Sequence, residues 1–125
     1  MLSYNPRFTP PAATLDVTVR NPFLPDRAAG KIAVLDTAAD ITAIPQALVR
    51  SLDLRSARTT AVSGVDSVST PYRTYIVTLE LADTTIERIA VIEWAGSEIL
   101  LGRDVLNEFE IRLDGKTRQF EIRDP

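Results

Sequence analysis

Short apolar runs of β type, each cut off by Pro, Gly or Asp, recur along most of the chain and leave little room for long helices. Leu15, Val17 and Val19 alternate with Asp16, Thr18 and Arg20, the period of a half-buried strand. Tyr75, Val77, Leu79 and Leu81 alternate in the same way with Ile76, Thr78 and Glu80. Ile32 to Leu35, Ile86 to Trp94 and Ile99 to Leu101 are denser apolar runs that fit buried strands. Phe109 to Leu113 and Thr117 to Ile122 flank Asp114-Gly115, a strong hairpin signal. Helical spacing is confined to Leu48 and Leu52 after Pro45, and to Val105, Leu106 and Phe109. The pattern predicts a mostly β chain with one or two short helices.

With 125 residues, 45% of them hydrophobic and 25% charged, the chain fits one folded domain. It should divide into an extended, Pro-rich arm over 1–13, a core over 14–109 and C-terminal hairpin strands over 110–125. The arm is expected to be mobile unless a partner pins it. A net charge of -3, with 14 basic residues scattered among 17 acids, argues against nucleic-acid and anionic-membrane partners. The first twenty positions carry prolines and Asp16 where a signal peptide needs an apolar core, so a cytoplasmic location is expected.

Cys and His are both absent, which removes thiol nucleophiles, Ser-His and Cys-His pairs and the common zinc sites. Proton transfer would fall to carboxylates, Lys or Tyr. No acidic cluster is dense enough for a carboxylate metal site, and neither metal nor cofactor is expected. Asp36 gains weight by this elimination. The run Ile32 to Leu35 delivers it, with Thr37, Ala38 and Ala39, into a gap before the apolar Ile41 and Ile44. A carboxylate between apolar walls, or beside another carboxylate, has its pKa pushed up and is suited to acid/base work. A plainer reading is that Asp36 and Thr37 end a strand and open a turn.

The chain also echoes itself: a strand runs into Asp36 and then a helix, and a strand runs into Gly102-Arg103-Asp104 and then a helix. Leu35-Asp36-Thr37-Ala38-Ala39-Asp40 resembles the active-site loop of the retroviral-type aspartic proteases, the retropepsins, whose usual form is Leu-Asp-Thr/Ser-Gly-Ala. Ile99-Leu100-Leu101-Gly102-Arg103-Asp104-Val105-Leu106 resembles their second motif. Between the two lies a small-residue hairpin, Ser63-Gly64-Val65-Asp66, where the family carries its flap.

The resemblance implies a retropepsin-like, closed or partly open β-barrel of a single lobe. It implies an aspartic endopeptidase acting as a homodimer on an extended peptide or protein, because one chain supplies one catalytic carboxylate, Asp36. Asp83-Thr84-Thr85 holds the only other Asp-Thr pair but reads as a polar turn. By position, Thr37 would cross-link the two active-site loops, Ala39 would line the pocket, and Asp40 would pair with Arg103. Gly102 and Asp104 belong to the second motif, and Ser63, Gly64, Val65 and Asp66 would close over substrate. The arm and the terminal hairpin would complete the dimer interface. Ala38 stands where the family usually has glycine. A position needing φ above zero would be strained by alanine, and one needing only space would be narrowed by a methyl. The same fold could therefore serve as a weak or inactive peptide-binding or dimerisation module.

Overall fold

In the computed structural model the described residues are 1–63 and 69–125, with the backbone alone described for 58–63 and 69–71. Twelve elements follow in order: β1 (Leu2–Ser3), β2 (Thr14–Arg20), β3 (Ala28–Leu35), β4 (Ala43–Pro45), α1 (Gln46–Ser51), β5 (Ser56–Ser63), β6 (Ser69–Leu81), β7 (Thr84–Trp94), β8 (Ile99–Leu101), α2 (Arg103–Leu106), β9 (Glu110–Asp114) and β10 (Gln119–Arg123). No helix among the described residues is long and apolar enough to cross a membrane.

Six of these strands form a closed barrel in the order β2-β3-β8-β4-β7-β6, and β6 returns to β2 through Thr18↔Glu80, Val19↔Leu79 and Arg20↔Thr78. The alternation dictates which side chains fill it. Val17, Val19, Val77, Leu79, Val91, Ile99 and Leu101 are buried, while Asp16 of β2 points to solvent. Each such core side chain contributes about 1.5–3 kcal/mol by leaving water. The helix expected after Pro45 is α1, with Pro45 as its N-cap and Leu48 and Val49 buried against the barrel.

β6 begins well before Tyr75, where the alternating run read from the sequence starts. It runs unbroken for 13 residues. Its first half pairs with β5 and its second half with β2 along the same edge, while β7 takes the opposite edge only from Thr74 onward. Pro71 opposes Ala61 of β5 and lies beyond the reach of β7. A missing N–H is tolerated where one edge is unpaired. The turn into β7 is Ala82-Asp83, both with positive φ (49° and 60°), and Thr84 already belongs to the strand.

The N-terminal arm is pinned within the chain. A separate three-stranded sheet, β1-β10-β9, pairs Leu2 with Phe120 and Ser3 with Gln119. Tyr4 N donates to Arg118 O at 2.8 Å, and the Tyr4 and Phe120 rings pack 6.2 Å apart. Phe120 is fully buried, so this sheet is anchored to the core by the last strand of the chain.

Candidate active site

β3 and β8 are parallel neighbours, with Ala33↔Ile99, Val34↔Leu100 and Leu35↔Leu101 in register. The two halves of the internal echo are thereby set side by side at the C-terminal ends of adjacent strands. Asp36 N extends the ladder by one bond, donating to Leu101 O at 2.9 Å. The chain then turns sharply. Ala39 N donates to Asp36 O at 3.2 Å, and Ala38 N donates to Asp36 Oδ1, also at 3.2 Å.

Asp36 is thus half-buried and caps its own turn, as the plainer sequence reading has it. That role occupies one oxygen. Oδ2 accepts no hydrogen bond among the described residues and remains free for other chemistry. Asp104 differs. Its Oδ1 accepts from Thr42 Oγ1 at 2.7 Å and from Val105 N at 2.9 Å, and its Oδ2 accepts from Thr42 N at 3.1 Å. Both oxygens of Asp104 are committed to holding the loops. Asp83 stands on the β6–β7 turn, outside this pair of strand ends.

Two straps fix the Asp36 loop. Arg103 N donates to Ala39 O at 2.9 Å, and Arg103 Nη1 donates to Thr37 O at 2.7 Å. Thr42 forms the second: fully buried, its hydroxyl accepts from Gly102 N at 3.0 Å while donating to Asp104. Gly102 is required by close approach, since a Cβ there would lie 2.8 Å from the Ile41 carbonyl carbon and 3.0 Å from its oxygen. Its own backbone is extended (φ -83°, ψ 178°), so conformational freedom is not the reason.

The structure brings Asp36, Thr37, Ala38, Ala39, Asp40, Gly102, Arg103 and Asp104 onto two adjoining loops. The charge pair of Asp40 with Arg103 is not made. Among the described residues the ion pairs are Arg20–Glu80 and Arg123–Glu110. Arg103 turns instead to the Thr37 carbonyl, and Asp40 is exposed. Thr37 is also exposed, and its hydroxyl has no partner within the chain among the described residues. Ala38 is exposed and absent from the residues with positive φ, so alanine sits there without backbone strain. Ser63 ends β5, while Gly64, Val65 and Asp66 lie outside the described residues. Thr42 escapes the sequence reading. Its signal is a lone hydroxyl between Ile41 and the buried pair Ala43 and Ile44, a place where a polar atom must find a partner. An apolar cavity of about 500 Å³, lined by Phe23, Leu24, Leu54 and Ile76 among others, includes no residue of either loop.

The barrel is similar to solved retroviral proteases. The solution structure of simian foamy virus (mac) protease aligns with a TM-score of 0.57 at 19% identity, covering 76% of this chain and 92% of that one. EIAV protease, solved with the inhibitor HBY-793, aligns with a TM-score of 0.57 at 21% identity, covering 77% and 86%. A foamy viral protease-reverse transcriptase bound to an RNA/DNA hybrid gives 0.60 at 14% identity, over 79% of this chain and 12% of that much longer one. At these identities the likeness concerns the fold. No curated protein matches. The family model described as gag-polyprotein putative aspartyl protease matches residues 31–108, from β3 through α2 and across both loops, and the chain belongs to that family.

Proposed function

We propose that the chain is an aspartic endopeptidase that becomes competent when two copies bring their Asp36 carboxylates together. The observation that carries this reading is the asymmetry between the site's two strand-end carboxylates: Asp104 has both oxygens engaged, whereas Asp36 keeps Oδ2 free at a half-buried position. A single carboxylate cannot both take a proton from water and give one to a peptide carbonyl. Two held close together share one proton, because both cannot ionise at short range, and so divide the roles.

In the dimer the ionised Asp36 removes a proton from the attacking water while the protonated one donates to the carbonyl oxygen. The water oxygen bonds to the carbonyl carbon, giving a neutral tetrahedral intermediate. Its collapse breaks the C–N bond, with one carboxyl protonating the departing nitrogen and the other recovering a proton from the hydroxyl. The exposed Thr37 hydroxyls would bond between the two loops, and each Arg103 would hold its own Thr37 carbonyl in place. Substrate would lie extended across both copies, adding to strand edges.

The deciding test is cleavage of an unfolded protein between about pH 4 and 7, the range expected of a shared-proton pair, by the native chain and by Asp36→Asn. Cleavage that disappears in Asp36→Asn and is blocked by a pepstatin-type transition-state mimic supports the protease. Retained cleavage in Asp36→Asn would sink it.

A further inference from the structure

The apolar cavity of about 500 Å³ is lined by Phe23 and Leu24 from the Pro-rich loop of the first hairpin, Leu54 from the segment after α1 and Ile76 from β6. Tyr75 and Val77 are buried in the barrel, so Ile76, between them in β6, faces the other way. Phe23 is 65% exposed and Leu24 44%, two of the few large apolar side chains that the described residues leave in water. A single exposed apolar side chain is ordinary. Two that line one cavity of ligand size mark a binding surface.

The walls are fixed before anything binds. The buried Asn21 accepts from Phe23 N and Leu24 N, and its Nδ2 donates to Leu52 O at 2.9 Å and to Asp53 O at 3.3 Å. One amide thereby ties the loop to the segment that follows α1. Arg27 Nη1 adds a bond to Ser51 O at 3.3 Å, and the Arg88 guanidinium stands over the Phe23 ring, 5.5 Å from its centre. Walls held in this way need little ordering when a ligand enters.

Two opposite charges share the cavity. Asp53 and Arg55 flank the buried Leu54 and both line it, yet they form no ion pair, and neither side chain bonds to any other group among the described residues. Asp53 also runs against local preference. It follows the helix end at Leu52 with a φ of 52°, where Gly or Asn is usual, and its carboxylate meets the negative end of the helix. That carboxylate receives no compensating bond within the chain among the described residues.

We propose that this cavity binds an apolar dipeptide with both termini free: its ammonium on Asp53, its carboxylate on Arg55, and its side chains against Phe23, Leu24, Leu54 and Ile76. Length selects the dipeptide. Positions two apart are separated by at most about 7 Å of backbone, and the charged ends of a dipeptide are spaced by a similar stretch of chain. A longer peptide carries its second charge past Arg55, and a single amino acid leaves much of the volume empty. A fatty acid leaves Asp53 unanswered and sets a second negative charge beside it. The cavity includes no residue of the Asp36 or Gly102 loops, so the proposal does not rest on the catalytic reading.

Calorimetric titration of the native chain with Leu-Leu tests the site, with N-acetyl-Leu-Leu and Leu-Leu amide as probes of the two charges. Leu-Leu should bind saturably and about fivefold more tightly than either capped form. Arg55→Gln should weaken Leu-Leu by about fivefold and leave the amide unchanged. Asp53→Asn, which keeps a residue tolerated at positive φ, should weaken Leu-Leu equally and leave the N-acetyl form unchanged. Leu24→Ser, at an exposed position, should weaken all three. No saturation with Leu-Leu, or capped forms that bind as well as Leu-Leu, would overturn the proposal. Free leucine or Leu-Leu-Leu binding as tightly as Leu-Leu would overturn the dipeptide length. Binding that a pepstatin-type mimic displaces and Leu24→Ser leaves unchanged would move the peptide to the cleavage cleft, overturning this site and leaving the protease standing.

Discussion

Thr42 and Asp104 grip each other through two bonds, hydroxyl to Oδ1 at 2.7 Å and backbone N–H to Oδ2 at 3.1 Å, and so bind the start of β4 to the first turn of α2. With Gly102 N also donating to the hydroxyl, a fully buried side chain joins the two loops of the site. Thr42→Val keeps the shape, strips Asp104 of its shortest donor and leaves the Gly102 N–H without an acceptor. The expected loss is about 2–4 kcal/mol, read as a fall in the urea midpoint, and Thr42→Ser should recover most of it.

Arg103 acts on the site through a carbonyl. Arg103→Met should leave the fold intact and release Thr37 from its 2.7 Å strap. A misplaced loop then lowers kcat by about tenfold or more with little change in KM. The readout is steady-state cleavage beside a far-UV spectrum that stays native.

Ala38 is free of backbone strain, so Ala38→Gly relieves nothing. It adds freedom to the unfolded chain and should cost about 0.4–1 kcal/mol, seen as a small drop in midpoint. A large rise in turnover would instead locate an obstruction in the alanine methyl.

Asn21 anchors the Pro-rich loop of the first hairpin. Its Nδ2 donates to Leu52 O at 2.9 Å and its Oδ1 accepts from Phe23 N and Leu24 N at 2.9 and 3.1 Å, all at 4% exposure. Asn21→Ala should cost about 2–4 kcal/mol. Increased proteolysis within the loop over residues 21–27 would accompany it.

Two groups tie stability to pH. Backbone and side-chain bonds from Thr117, together with the Lys116 N–H, hold the Asp114 carboxyl below its ordinary value. A carboxyl lowered on folding stabilises above its unfolded pKa, and the benefit is lost as pH falls through its folded pKa. Asp114→Asn should therefore flatten the acid side of the stability profile. Burial, with the negative charge of Glu93 in second place, raises the Tyr75 hydroxyl. A group raised on folding contributes fully below its unfolded pKa and loses that contribution as pH rises through its folded pKa. Native chain should thus lose stability above about pH 10, and Tyr75→Phe should lose less. Denaturant titrations across the pH range check both limbs.

The barrel is legible in sequence because its alternation is local: Val17 and Val19 announce their inward face within one strand. The pairing of the two loops is legible because the echo between Asp36 and Gly102-Arg103-Asp104 marks two equivalent strand ends. Long-range choices are not legible in this way. Nothing near Leu2 says that it will meet Phe120, and residue type alone cannot say whether Arg103 prefers the Asp40 carboxylate or the Thr37 carbonyl. The start of β6 before Tyr75 is not legible either, because the tolerance for Pro71 depends on where β7 begins, a property of a distant segment.

β10 lies between β1 and β9, so the two outer strands of the terminal sheet share a template that contains Arg123. During synthesis the barrel can close while this sheet still lacks its middle. Leu2 and Glu110 wait for the same late segment, and contacts of such long sequence separation form slowly. Any association that uses this sheet is therefore withheld from a nascent chain until residue 123 has emerged, by which time the barrel beside it can already be built.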